Sequence, residues 1–136
     1  MRAAAPASIN AVTALAAVAL AMTLAGHAAF GAGPANPWPL VVALFIAPLL
    51  EETVFRAGVH DALLHDGAAP WLANLLTALA FSAAHMLLLG ASAQTALVCL
   101  PALLIGAAYN RWRRLRICIG LHMAMNALWI AVQRMS

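Results

Sequence analysis

The sequence is poor in charged residues, and this scarcity determines the class of protein. Charged residues make up 8% of the 136 positions, lysine is absent, and only four residues are acidic. A soluble domain carries about 25% charged residues, so the composition excludes a soluble globular fold. The chain is 65% hydrophobic, with a mean hydropathy of +0.93. Because its apolar runs are continuous rather than alternating, they predict an all-α, polytopic transmembrane helical bundle instead of a barrel.

Several chemical signals are also absent. The two cysteines, Cys99 and Cys118, lie inside apolar runs without a CxxC spacing, which argues against a disulfide framework or a cysteine metal site. No H-E-x-x-H zinc motif is present. Four of the seven arginines fall within residues 111–116, between two apolar runs. This placement is typical of a cytoplasmic loop, so the predicted partner is the lipid bilayer and not nucleic acid.

The apolar runs predict one integral-membrane domain over residues 1–136, with about five spans. The first run, residues 9–29, is long enough to cross the bilayer, and a cleavable signal peptide is the alternative. The predicted location of the protein is the inner (plasma) membrane. With the arginine segment inside the cell, five spans place the N-terminus on the cytoplasmic side. A cysteine-accessibility scan that placed Arg113 on the outer face would contradict this topology. The remaining spans are predicted at residues 39–65, 70–89, 92–110 and 117–134.

The most informative stretch is residues 48–56, where Glu51 and Glu52 stand side by side in an apolar run. A charge at the bilayer centre costs about 2.5–3.5 kcal/mol, so ionisable residues there usually serve function and need partners. Glu52 and Arg56 are four residues apart, which predicts a structural ion pair. Glu51 points about 100° away from Glu52 and need not share that partner. Pro48, one turn earlier, frees a backbone carbonyl and permits a kink.

Histidine and asparagine on the later spans complete the candidate site. In an antiparallel pair of the second and third spans, Glu51 lies 16 residues before Gly67 and His85 lies 18 after it, so the two are predicted to share one depth. The same comparison places Phe81 level with Phe55. A packed, hydrogen-bonded histidine is the alternative interpretation of His85. Two further candidates are hydrogen-bond donors that share one face of the last span, with interhelical bonding as their alternative role: His122 and Asn126.

This set of residues favours hydrolysis of an amide bond within or beside the membrane. A buried carboxylate next to a second carboxylate and a histidine suits general-base activation of water. His122 and Asn126 suit stabilisation of an oxyanion. A zinc site is the alternative, with Glu51, His85 and His122 as ligands and one open position. A proton-relay transporter is disfavoured because no repeated halves are apparent. The polar patch at residues 60–67 predicts a solvated helix end, with metal binding as its alternative.

Three motifs in order, each on a separate apolar span, resemble the CPBP family of intramembrane proteases. This family includes the CAAX proteases and the bacteriocin-processing, Abi-like enzymes. The resemblance covers about residues 39–132, the motif-bearing core. The motifs that carry it are Glu51-Glu52-x-x-x-Arg56, Phe81-x-x-x-His85 and His122-x-x-x-Asn126.

The resemblance implies a glutamate-dependent endopeptidase, with a divalent metal such as zinc as an open question. It implies that Glu51 and His85 activate water and that Glu52 and Arg56 support and orient them. The last motif, on the fifth span, would form the oxyanion site. Because the chain is short for the family, it favours processing of a secreted peptide or a membrane sorting anchor over a prenylated CAAX end. The alternative function is a non-catalytic membrane partner, an immunity or sorting accessory.

Overall fold

The computed structural model describes residues 36–135, which form four helices long and apolar enough to cross a membrane. The predicted fold class is confirmed, and each of the last four predicted spans corresponds to one helix. The predicted span at residues 9–29, its signal-peptide alternative and part of the single domain over residues 1–136 lie outside the described residues. The helices are α1 (Trp38–His65), α2 (Pro70–Leu89), α3 (Ala93–Trp112) and α4 (Leu115–Met135).

Helix α1 contains two π-helical segments within an otherwise α-helical span. Two π-helical segments, Val42–Ile46 and Thr53–His60, flank the α-helical segment Ala47–Glu52. Pro48 is the second residue of that α-helical segment, in the interior of α1, and it has no N–H to donate to the preceding turn. The structure shows a change of hydrogen-bond register beside this proline, and the kink that the sequence allows there stays a prediction. π-helical segments are rare and occur frequently at functional sites.

Small residues allow α2 to pack closely along α3. Ala73 and Ala78 of α2 are fully buried, and Ala102 of α3 is 2% exposed. Small residues at such interfaces let membrane helices approach each other. Phe81 packs into the same cluster. Large apolar side chains cover the outer surface of the bundle, as expected for a face in contact with lipid; they include Leu79, Leu87, Leu104 and Leu128.

A polar cluster closes the end of the bundle where α1 and α3 terminate. His60 Nε2 lies 2.9 Å from the side-chain oxygen of Asn110, and the Tyr109 hydroxyl donates to Asp61 Oδ2 at 2.9 Å. Arg113, in a left-handed conformation with φ 50°, lies 2.6 Å from Asp61 Oδ1. The prediction of a solvated helix end is wrong for His60, which is fully buried, because the end of α3 covers it.

Replacing Gly106 with alanine is expected to lower the free energy of unfolding by about 1–3 kcal/mol. A Cβ atom at this position would overlap the side-chain oxygen of Asn74 and lie 2.7 Å from its Cγ. Asn74 would have to move and would lose the bond that its Nδ2 donates to Leu103 O at 3.0 Å. The measurement is unfolding of the purified protein in detergent micelles.

Gly120 provides the matched control, because a Cβ added there meets nothing within 4 Å. Replacing a glycine by alanine inside a helix normally stabilises it by roughly 0.5–1 kcal/mol. Gly120→Ala should therefore leave the stability unchanged or raise it slightly. Equal stability of the Gly106→Ala and Gly120→Ala variants would show that the Asn74 contact has no influence.

Candidate active site

The two glutamates lie in the α-helical segment of α1, between its two π-helical segments. Glu51 is 6% exposed, and both Glu52 and Arg56 are fully buried. Arg56 Nε lies 3.1 Å from Glu52 Oε2, in an ion pair that lacks the alignment of a hydrogen bond. The guanidinium also donates through Nη2 to Ala102 O at 3.0 Å. The predicted pairing of Glu52 with Arg56 is confirmed. The hydrogen bond from Arg56 to Ala102 O connects α1 to α3.

His122 of α4 reaches both glutamates with one imidazole ring. Its Nδ1 lies 2.8 Å from Glu52 Oε1, and its Nε2 lies 3.6 Å from Glu51 Oε2. Because an ionised carboxylate oxygen only accepts, Nδ1 carries the proton of the shorter contact. The longer distance exceeds that of a direct hydrogen bond. The sequence marked His122 as an oxyanion donor but gave no sign that it contacts Glu52.

Helix α2 places a second histidine beside this cluster. His85 Nδ1 lies 3.0 Å from the backbone oxygen of Phe81, which can only accept, so Nδ1 is protonated and a neutral ring presents a lone pair on Nε2. The Phe81 ring centroid lies 4.4 Å from that of His85 and 6.0 Å from that of His122. It also lies 5.0 Å from the ring of Phe55, as the depth comparison predicted. The direct pairing of Glu51 with His85 stays a prediction.

Asn126 lies one turn beyond His122 and also faces α1. Its side-chain Nδ2 donates to the backbone oxygen of Ala43 at 2.9 Å. The predicted common face of His122 and Asn126 is therefore confirmed, since both side chains contact the same helix. The contact at Ala43 is an interhelical hydrogen bond, which was the alternative role of Asn126. It uses one of the two N–H groups of the amide.

The buried cluster comes close to electrical balance. The formal charges of the two glutamates and Arg56 are cancelled if His122 is an imidazolium, and one negative charge remains if it is neutral. Breaking such a pair leaves a buried charge without compensation, which is costly. Because His122 lies close to both carboxylates, its protonation decides the net charge of the cluster. A site of this kind can exchange a proton with a bound water molecule.

The candidate metal ligands are engaged in other contacts. Within residues 36–135, no three His, Cys, Asp or Glu side chains form a group that could hold a metal ion. Both ring nitrogens of His122 face carboxylates, and Nδ1 of His85 is hydrogen-bonded to the backbone oxygen of Phe81. These contacts do not favour the zinc set of Glu51, His85 and His122, which stays a prediction.

Comparison with known proteins identifies the family of the chain. A family model described as type II CAAX prenyl endopeptidase Rce1-like matches residues 33–128. Comparison with curated proteins and with solved structures found no match. The matched range contains all three sequence motifs and the four helices apart from the end of α4. The resemblance drawn from those motifs is thus confirmed: the chain is a multi-pass membrane protein of the Rce1-like family of type II CAAX prenyl endopeptidases.

Proposed function

We propose that this protein hydrolyses a peptide bond of a membrane-associated or secreted peptide or protein, using water activated by Glu51 and His85. The family supplies the reaction class, intramembrane endopeptidase. The observation that carries the proposal is the imidazole of His122, placed between two buried and adjacent glutamates. A pair of buried carboxylates beside histidine is a suitable general base. The family match does not favour the non-catalytic alternative.

Glu52 and Arg56 act in this proposal as positioning residues for His122. Glu52 accepts the Nδ1–H of His122 and pairs with Arg56, which is itself bound to Ala102 O. This chain of contacts restricts rotation of the imidazole. The Nε2 edge is left facing Glu51, on the side where the substrate would react. Preorganised donors of this kind stabilise developing charge more effectively than mobile ones.

The proposed reaction is a direct attack by water. Its oxygen bonds to the carbonyl carbon of the substrate while Glu51 takes one of its protons, and His85 accepts a hydrogen bond through Nε2. The carbonyl oxygen becomes an oxyanion, which receives hydrogen bonds from His122 in its imidazolium form and from the second N–H of Asn126. The carbon–nitrogen bond then breaks, and the proton held by Glu51 passes to the leaving amine. Overall, one water molecule is consumed for each bond cleaved.

The orientation in the membrane is part of the same proposal. The apolar outer surface of α1 to α4 supports a site that the substrate reaches from within the bilayer. The arginines at residues 111–116 would face the cytoplasmic side of the inner (plasma) membrane. Together with the predicted span at residues 9–29, this would place the N-terminus on the same side. A substrate segment held near the membrane would then meet Glu51 below the level of the lipid headgroups.

The test of this function is cleavage by the purified protein in lipid nanodiscs. The panel contains a prenylated CAAX peptide, a single-span peptide with a sorting anchor and a secreted precursor peptide. In ¹⁸O-labelled water, we expect cleavage at one bond of at least one substrate, with ¹⁸O in the new carboxylate. Added hydroxylamine should give no hydroxamate, because no acyl-enzyme forms. A hydroxamate product would contradict direct attack by water, and binding without any cleavage would favour the accessory function.

Chelation distinguishes a reaction that needs no metal from the zinc hypothesis. Full activity after exhaustive chelation would contradict the zinc hypothesis for Glu51, His85 and His122. Loss of activity that zinc restores would support it. The same substrate and nanodiscs serve both arms of this experiment.

A further inference from the structure

Pro48 deprives one carbonyl of α1 of its helix donor. The N–H of Ala47 bonds to Val42 O, five residues earlier, so this turn has the π-helical register. In the same register, the donor to Ala43 O would be the N–H of residue 48. Proline has no N–H, so the oxygen of Ala43 is open to a donor from outside the helix.

Asn126 of α4 provides that donor. Its Nδ2 lies 2.9 Å from Ala43 O, and this contact spans 83 residues of sequence. Because a carbonyl oxygen only accepts, the contact fixes which side of the amide carries nitrogen. One N–H is used at Ala43, and the direction of the second N–H is set by the first. His122, one turn earlier on the same face, bonds to Glu52 of α1.

We propose that Pro48 is a positioning residue for catalysis, which keeps Ala43 O open for Asn126 and thereby aims the second N–H of Asn126 at the oxyanion. The inference rests on the proposed function, in which Asn126 stabilises the oxyanion. An N–H at position 48 would compete for Ala43 O and let the turn relax toward the α-helical register. Asn126 would then lose its fixed orientation without losing its chemistry.

A double-mutant cycle tests the proposal. Pro48→Ala is expected to lower kcat about tenfold with KM unchanged, the size of one lost hydrogen bond. Asn126→Ala should lower kcat further, and Pro48→Ala/Asn126→Ala should match Asn126→Ala alone, because the proline acts through the asparagine. The matched control is Pro101→Ala, which removes a helix proline from α3. Two results would overturn the proposal. One is that Pro48→Ala lowers kcat by the same factor in the wild type and in the Asn126→Ala variant. The other is that Pro101→Ala lowers kcat as much as Pro48→Ala does.

A second measurement depends neither on activity nor on a folded Pro48 variant. The chain has five asparagines, so selective ¹⁵N labelling of asparagine gives few side-chain amide signals, and Asn126→Ala assigns the relevant one. In the wild type, one N–H of Asn126 should exchange with solvent at least about tenfold more slowly than those of exposed Asn36. Equal exchange rates would overturn the proposal. This readout stands even if a Glu51 variant keeps full activity and so refutes the proposed function.

Discussion

Replacing Arg56 with methionine is expected to lower the free energy of unfolding by about 3–5 kcal/mol. Arg56 and Glu52 are both fully buried, so the change leaves a buried carboxylate with one of its two partners removed. Ala102 O also loses the donor that connects α1 to α3. The measurement is equilibrium unfolding in mixed detergent micelles, where the midpoint for the variant should fall well below that of the wild type.

Two control variants define what the result means. Glu52→Gln/Arg56→Met removes both charges of the pair, and it should recover a large part of the lost stability because the cluster then has the same net charge as in the wild type. Arg113→Met breaks the pair with Asp61, whose side chains are 49% and 39% exposed. That loss should stay below about 1 kcal/mol, as is usual for exposed pairs. An Arg56→Met variant as stable as Arg113→Met would contradict the account of the buried pair.

The positions of the helices could be predicted from the sequence because they depend on the length of apolar runs. The run predicted at residues 70–89 is found as Pro70–Leu89, and α1 begins within one residue of its predicted start. The i,i+4 pair of Glu52 and Arg56 was also predictable, because helix geometry alone brings such residues together. These features are local and need no knowledge of how helices pack.

The contacts between helices could not be predicted in the same way. Depth along the membrane follows from residue counting, but the rotation of each helix about its axis depends on packing. This is why Phe81 was correctly placed level with Phe55, while the bond of His122 to Glu52 was missed. The π-helical segments of α1 likewise have no reliable signal in the sequence apart from Pro48. The burial of His60 was missed because its hydrogen-bond partner, Asn110, lies 50 residues later in the sequence.

Replacing Glu51 with glutamine is expected to reduce kcat by about 10²–10⁴-fold, the usual contribution of a general base. The amide keeps the size of the carboxylate but cannot take a proton from water. Glu52 keeps its contacts with Arg56 and His122, so the framework of the site is preserved. We therefore expect a folded variant whose stability changes far less than its rate.

We propose above that Glu51, which is buried beside His122, is the general base that activates water. The most direct test is the single-turnover cleavage rate of Glu51→Gln on one substrate, with unfolding measured in parallel. Asp66→Asn is the matched control, because it makes the same chemical change at an exposed acidic residue. We expect at least about a hundredfold loss of rate for Glu51→Gln and a rate within about threefold of wild type for Asp66→Asn. A folded Glu51→Gln variant that cleaves as fast as Asp66→Asn would contradict the proposed role of Glu51.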